Sequence, residues 1–212
     1  DAVSDYKVGM TKDLSGWIYH EMLLESQVLT SSALMHRRVV QEAGDWDESL
    51  EGILRAKQRA EKEFDMAIGL IAITSRGMGS ASCEKTVNWA IRHQEQIQGI
   101  DLADGENIHP IHEFAGPVLR AKEAGLKVTV HSGEDTPASA VIETIQTVKP
   151  DRIGHGIHII EDMAAVEFVR ERGITLEVNP WSNYLTNSVR RIEEHPLKRL
   201  FDLGVRVTIN SD

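Results

Sequence analysis

The sequence predicts an α/β fold, a parallel β/α barrel of the TIM type, and three observations carry that prediction. From residue 45 onward, amphipathic helical stretches alternate with short β-branched runs, the pattern of successive βα units around a parallel sheet. Three phrases, AKEAGLKVTVH, VRERGITLEVN and FDLGVRVTIN, each end a helix on glycine and run a strand into a polar residue. Residues of catalytic type emerge at the ends of at least four strands, and no Gly-rich phosphate loop follows any of them. That combination favours a barrel over an open nucleotide-binding sheet.

In DWDESLEGILRAKQRAEKEF, residues Leu50, Ile53, Leu54, Lys57 and Ala60 fall at helical spacing, and Asp45 or Asp47 can cap the start. Met66–Thr74 follows as a buried strand. A helix at Cys83–His93 then leads into a strand at Ile97–Ala103, and Ile111–Ala124 leads into Lys127–His131. Pro137–Val148 precedes Arg152–His155, Asp162–Arg172 precedes Thr175–Val178, and Pro196–Leu203 precedes Arg206–Ile209. Gly125, Gly173 and Gly204 suit the left-handed position after a helix, and the apolar runs behind them suit strands covered on both faces. Pro180-Trp181-Ser182-Asn183 reads as a rigid loop at the rim, and Cys83 as a small buried hydrophobe.

A full barrel takes about 250 residues, so a single domain over residues 1–212 is expected to be one or two units short at its N-terminus. Residues 1–40 show poor strand periodicity, with one weak strand expected at Glu25–Leu34. A barrel left open there would expose strand edges, and self-association would cover them.

With 41% hydrophobic residues the chain can bury a sizeable core, while a net charge of −10 argues against nucleic acid or a membrane surface as partner. A small molecule fits better. One cysteine rules out a disulfide framework and any zinc site built on paired cysteines, so a cytoplasmic setting is expected. No segment approaches the roughly 20 apolar residues that span a bilayer.

The chemistry gathers at strand ends. In Val130-His131-Ser132-Gly133-Glu134 a strand delivers an imidazole and, through a glycine turn, a carboxylate. Imidazole is a good ligand for a metal such as zinc, and a nearby unligated carboxylate can shuttle protons to a substrate nitrogen. Gly154-His155-Gly156 places a second imidazole on the next strand, where it could orient or deprotonate a metal-bound water. Asn210-Ser211-Asp212 ends the last strand on a carboxylate that needs a partner, and metal ligation supplies one.

Together, HSGED at 131–135, RIGHG at 152–156, EVNPWSNYLTNSV at 177–189, HPL at 195–197, VTINSD at 207–212 and GIDLADGE at 99–106 resemble the adenosine deaminase family. The resemblance implies a metal-dependent barrel that hydrolyses the 6-amino group of adenine-type rings and releases ammonia. It implies that His131 and Asp212 are zinc ligands, that Glu134 protonates the purine at N1, and that His155 is the base at the zinc-bound water. Asp104 and Gly105 would contact the substrate, a purine nucleoside or base, and the Pro-Trp-Ser-Asn-Tyr-Leu-Thr phrase resembles adenosine deaminases more than their adenine-specific relatives.

The family's His-x-His pair has no counterpart in this sequence, and its second aspartate would fall just after Asp212. With His131 and Asp212 as its only ligands, the isolated chain is expected to bind metal weakly. Two alternatives therefore stay open: a degenerate or truncated member without catalysis, and a barrel amidohydrolase acting on another small cyclic substrate.

Overall fold

Helix α1 (Trp46–Phe64) opens the part of the chain that this computed structural model describes, residues 46–212. The weak strand expected at Glu25–Leu34 lies outside the described residues. Leu50 and Leu54 of α1 pack into the core as their helical spacing requires. Beyond α1 the Ile68 N–H donates to Glu61 and the Leu70 N–H to the Gln98 side chain. These side-chain acceptors occupy the backbone that would otherwise enter the sheet, so strand β1 is Ile71–Ser75 rather than the longer Met66–Thr74 run.

The remaining units alternate as the periodicity requires. Helix α2 (Ser80–Arg92) precedes β2 (Gly99–Ala103), α3 (Ala115–Glu123) precedes β3 (Lys127–Ser132), and α4 (Ala138–Val148) precedes β4 (Arg152–His155). Helix α5 (Met163–Glu171) then leads to β5 (Thr175–Val178). After it come α6 (Pro180–Leu185), α7 (Leu197–Asp202) and β6 (Arg206–Ile209). Two further expectations change. The single helix expected over Ile111–Ala124 begins as a 3-10 turn at Ile111–Phe114, where Phe114 is fully buried, and becomes α-helical only at Ala115. The expected Pro-Trp-Ser-Asn loop is the start of a short helix, with Pro180 at its first position, where a missing N–H costs nothing.

All six strands are parallel and ordered β1-β2-β3-β4-β5-β6, so each lies beside its neighbour in sequence. That singly wound order is the one a β/α barrel follows. Gly125, Gly173 and Gly204 take positive φ where helices hand over to strands. Side chains alternate across the sheet. Ile100, Leu102, Val128 and Val130 pack with Val87, Ala90, Val118 and Ala121 of α2 and α3. Ile153, Leu176 and Val178 pack with Val141, Val166 and Leu200 of α4, α5 and α7. Each buried Val, Leu or Ile among them is worth about 1.5–3 kcal/mol.

The intervening residues, Asp101, Thr129, His131, Arg152 and Glu177, turn to the opposite face. Polar pairs form there, with Arg152 Nη1 3.1 Å from Glu177 Oε1. No helix among the described residues is long and apolar enough to cross a membrane.

Candidate active site

Neighbouring strands set the two imidazoles side by side. His131 pairs in register with Gly154, and Ser132 with His155. A Cβ on Gly154 would lie 2.5 Å from His131 Cδ2 and 3.0 Å from its Nε2, so only glycine leaves room for this ring. The rings meet edge to face, with His131 Nδ1 3.2 Å from His155 Nε2. His155 itself is fully buried and holds φ at +62°. A non-glycine residue held there costs on the order of 1–3 kcal/mol, and strain of that kind collects at functional sites.

Two carboxylates complete the cluster. Asp212 Oδ1 is 3.6 Å, and Glu134 Oε2 3.3 Å, from His155 Nε2. One ligand atom each from His131, His155 and Asp212 lies within 4.8 Å of the other two. The four residues singled out at strand ends therefore converge, and His155 stands as a third group beside the two expected ligands.

The surrounding residues were not legible as site components. Asp101 on β2 puts Oδ2 3.3 Å from His131 Nε2, leaving Nδ1 to face the cluster. Asn179 Nδ2 and Ser182 Oγ donate to the two Asp212 oxygens at 3.0 and 2.5 Å. Asn183 of α6 and Thr186 at its C-terminal cap donate to Glu134 Oε1 at 3.0 and 2.9 Å. Buried Glu106 accepts from the backbone N–H groups of Gly133 and Glu134, at 2.7 and 2.9 Å, and from the Thr136 hydroxyl. Glu106 thus ties down the turn that carries Glu134. The one sequence signal was GIDLADGE, which holds both Asp101 and Glu106.

Asp104 and Gly105 follow β2, but the Asp104 carboxylate accepts from Ser75 Oγ at 2.6 Å and from the Gly105 N–H at 2.8 Å. His109 lies away from this cluster and pairs with Glu113 at 3.2 Å. Cys83 is buried, its thiol pushed up to about 11 by loss of water.

Burial alone would lower the His131 pKa, but the adjacent Asp101 carboxylate outweighs it and pushes the ring up to about 9. Burial, reinforced by His131, holds His155 below the usual imidazole value. Burial raises Glu134 above the usual carboxylate range despite the hydrogen bonds from Thr186 and Asn183.

The donor set fits a divalent ion. It offers imidazole nitrogen and carboxylate oxygen, with the far nitrogen of His131 braced by a carboxylate, as in zinc sites. Two buried oxygens, Asp101 Oδ1 and Asn179 Oδ1, have no hydrogen-bond partner among the described residues, as expected where further donors or an ion belong.

A singly wound parallel β/α sheet with imidazoles and carboxylates gathered at its strand C-termini is the arrangement of the β/α-barrel class of enzymes. Within that class the chain belongs to the adenosine deaminase family, because residues 8–212 match the family model described as adenosine deaminase. An adenine deaminase from Marinomonas sp. is 36% identical over 167 residues, covering 79% of this chain and 50% of the relative. An adenosine deaminase from Escherichia coli is 34% identical over 163 residues, covering 77% and 49%. The chain spans about half the length of these curated relatives. The solved structure of adenine deaminase from Arthrobacter aurescens superposes with a TM-score of 0.76 at 30% identity, over 82% of this chain and 54% of that one. A cog1816 amidohydrolase from Burkholderia ambifaria, solved with bound Zn, shares the fold at 24% identity with a TM-score of 0.74, over 82% of this chain and 50% of that one.

Proposed function

We propose that the protein to which this chain belongs catalyses metal-dependent hydrolytic deamination of a 6-aminopurine, as adenosine or as free adenine, with release of ammonia. The observation that carries this reading is the convergence of His131, Glu134, His155 and Asp212 at the ends of three strands. Relatives at similar identity are named for adenine and for adenosine, so both the base and the nucleoside are candidate substrates.

His131 and Asp212 would hold the ion, for which this nitrogen and oxygen donor set suits zinc. A metal bound there supplies Lewis acidity and lowers the pKa of water towards 7. His155 faces the attacking oxygen and orients it. Glu134 delivers a proton to the ring nitrogen N1. Its Oε1 is occupied by Asn183 and Thr186, which leaves Oε2 to carry the proton, and burial favours the protonated acid. Protonation at N1 breaks ring aromaticity, so C6 can become tetrahedral before ammonia leaves. Asp104 and Gly105 remain the proposed substrate contacts; with the Gly105 N–H already held by Asp104, the carboxylate is the group with hydrogen-bonding capacity left.

Ammonia release by the zinc-loaded full-length protein from adenosine, deoxyadenosine, adenine and AMP tests the reading. Turnover of adenosine or adenine is expected; no ammonia from any of the four sinks it.

A further inference from the structure

The HPL phrase at 195–197 takes no part in the chemistry above, yet His195 reaches the site through one buried residue. We propose that His195 and Asn183 are positioning residues that hold His155 in the tautomer with its proton on Nε2, so that His155 is a hydrogen-bond donor and not a metal ligand. The proposal rests on the deaminase reading only for naming the attacking oxygen as what that donor meets.

The hydrogen bonds of His195 and Asn183 lead to one assignment. The Leu197 backbone N–H donates to His195 Nδ1 at 3.1 Å. That nitrogen must therefore carry a lone pair, and the proton of the neutral ring sits on Nε2. Burial keeps His195 below the usual imidazole pKa, consistent with a neutral ring. His195 Nε2 lies 3.2 Å from Asn183 Oδ1, so Nε2 donates and the amide oxygen accepts.

With its oxygen fixed there, the Asn183 amide turns its NH2 towards the site. Its two hydrogens meet Glu134 Oε1 at 3.0 Å and His155 Nδ1 at 2.9 Å. Asn183 is fully buried, so no bulk water competes for either bond. The reversed amide would set two donors against each other at His195 and put its oxygen against the Glu134 carboxylate. A donor at His155 Nδ1 requires a lone pair on that nitrogen, which places the ring proton on Nε2. Nε2 is the nitrogen that faces Glu134, Asp212 and His131; the Asn179 amide nitrogen, 3.5 Å from it, makes its shorter bond to Asp212 Oδ1 at 3.0 Å. Carrying a proton, His155 Nε2 has no lone pair for a metal. His131 and Asp212 are then the ligands this cluster supplies, and His155 presents an N–H to the oxygen beside them.

The test uses the zinc-loaded full-length protein with 15N-labelled histidine and reads from long-range 1H–15N spectra which ring nitrogen carries the proton. With zinc holding the His131 Nδ1 lone pair, wild type is expected to show His155 with a protonated, pyrrole-type Nε2 and a pyridine-type Nδ1. Asn183→Asp replaces the double donor by acceptors and should move the proton to Nδ1. It should lower kcat by roughly 10²- to 10⁴-fold, the range of a general acid–base or tautomer-setting contact, with KM little changed. His195→Phe should leave a mixture of tautomers, and His195→Gln, whose amide can still donate to Asn183, should restore the wild-type form.

A wild-type His155 protonated on Nδ1, a zinc-bound Nε2, or an unchanged tautomer in His195→Phe would overturn the proposal. If Asn183→Asp fails to fold, the wild-type and His195 spectra decide alone. The expected tautomer in a protein that releases no ammonia would leave the relay standing and remove the deaminase reading.

Discussion

Asp101 Oδ2 stands 3.3 Å from His131 Nε2, and this contact decides which edge of the imidazole looks into the site. With Nε2 turned to the carboxylate, Nδ1 converges with His155 and the strand-end carboxylates. The carboxylate comes from β2 and the imidazole from β3, so neighbouring strands share the work of aiming one ring.

Replacing that brace should weaken metal binding more than it weakens the fold. Asp101→Asn keeps the volume but removes the charge, and partners of this kind are worth 10- to 100-fold in metal affinity. Zinc competition against a chelator should find that loss, with little change in melting temperature. Unchanged affinity would show that Asp101 does not orient His131.

The pH response has a defined sign. His131, pushed up to about 9, lies above its ordinary 6.5, so its protonated form stabilises the metal-free fold fully below 6.5. That contribution is lost as pH rises through about 9. His155 is depressed by burial and by His131, so the fold also loses stability as pH falls below 6.5. The melting temperature of the metal-free protein should therefore peak near pH 6.5, as thermal scans from pH 4 to 9 would report. Zinc must displace the His131 proton, so its apparent affinity should climb about tenfold per pH unit until that proton is gone. A melting temperature that keeps rising from 6.5 to 9 contradicts the assignment.

Gly154→Ala should cost the site its metal. The added methyl would meet His131 Cδ2 at 2.5 Å, and the ring, at the end of a rigid strand, must swing away from the cluster. Metal analysis should find zinc lost while circular dichroism stays near wild type. Full zinc occupancy in the variant would place the metal elsewhere.

Glu134→Gln removes the proton donor and keeps the shape. Its side-chain oxygen can still accept from Asn183 and Thr186 at the Oε1 position. The expected loss in kcat is roughly 10²- to 10⁴-fold, with KM and stability nearly unchanged. A KM defect at normal kcat would make Glu134 a binding residue instead.

How much of this was legible depended on whether a residue's partner is local. Strands at Arg152–His155, Thr175–Val178 and Arg206–Ile209 have the expected bounds, because glycine, an apolar run and a polar terminus are all local signals. His131, Glu134, His155 and Asp212 stood out because each closes, or follows within a turn, such a run. Asp101, Asn183 and His195 were missed as site components because their roles arise only when separate elements meet: β2 beside β3, and α6 beneath the segment that precedes α7. Reading Pro180–Asn183 as a loop also hid the helical spacing that aims Asn183 and Thr186 together at Glu134.

The central claim, that this strand-end cluster is a metal-dependent deaminating site, meets its most direct test in ammonia release by the full-length protein before chelation, after chelation and after zinc is restored. The geometry predicts turnover of adenosine or adenine that is lost with the metal, returns with it, and is slowed roughly 10²- to 10⁴-fold in Glu134→Gln. Turnover that survives complete metal removal, or that Glu134→Gln retains at the wild-type rate, would contradict it.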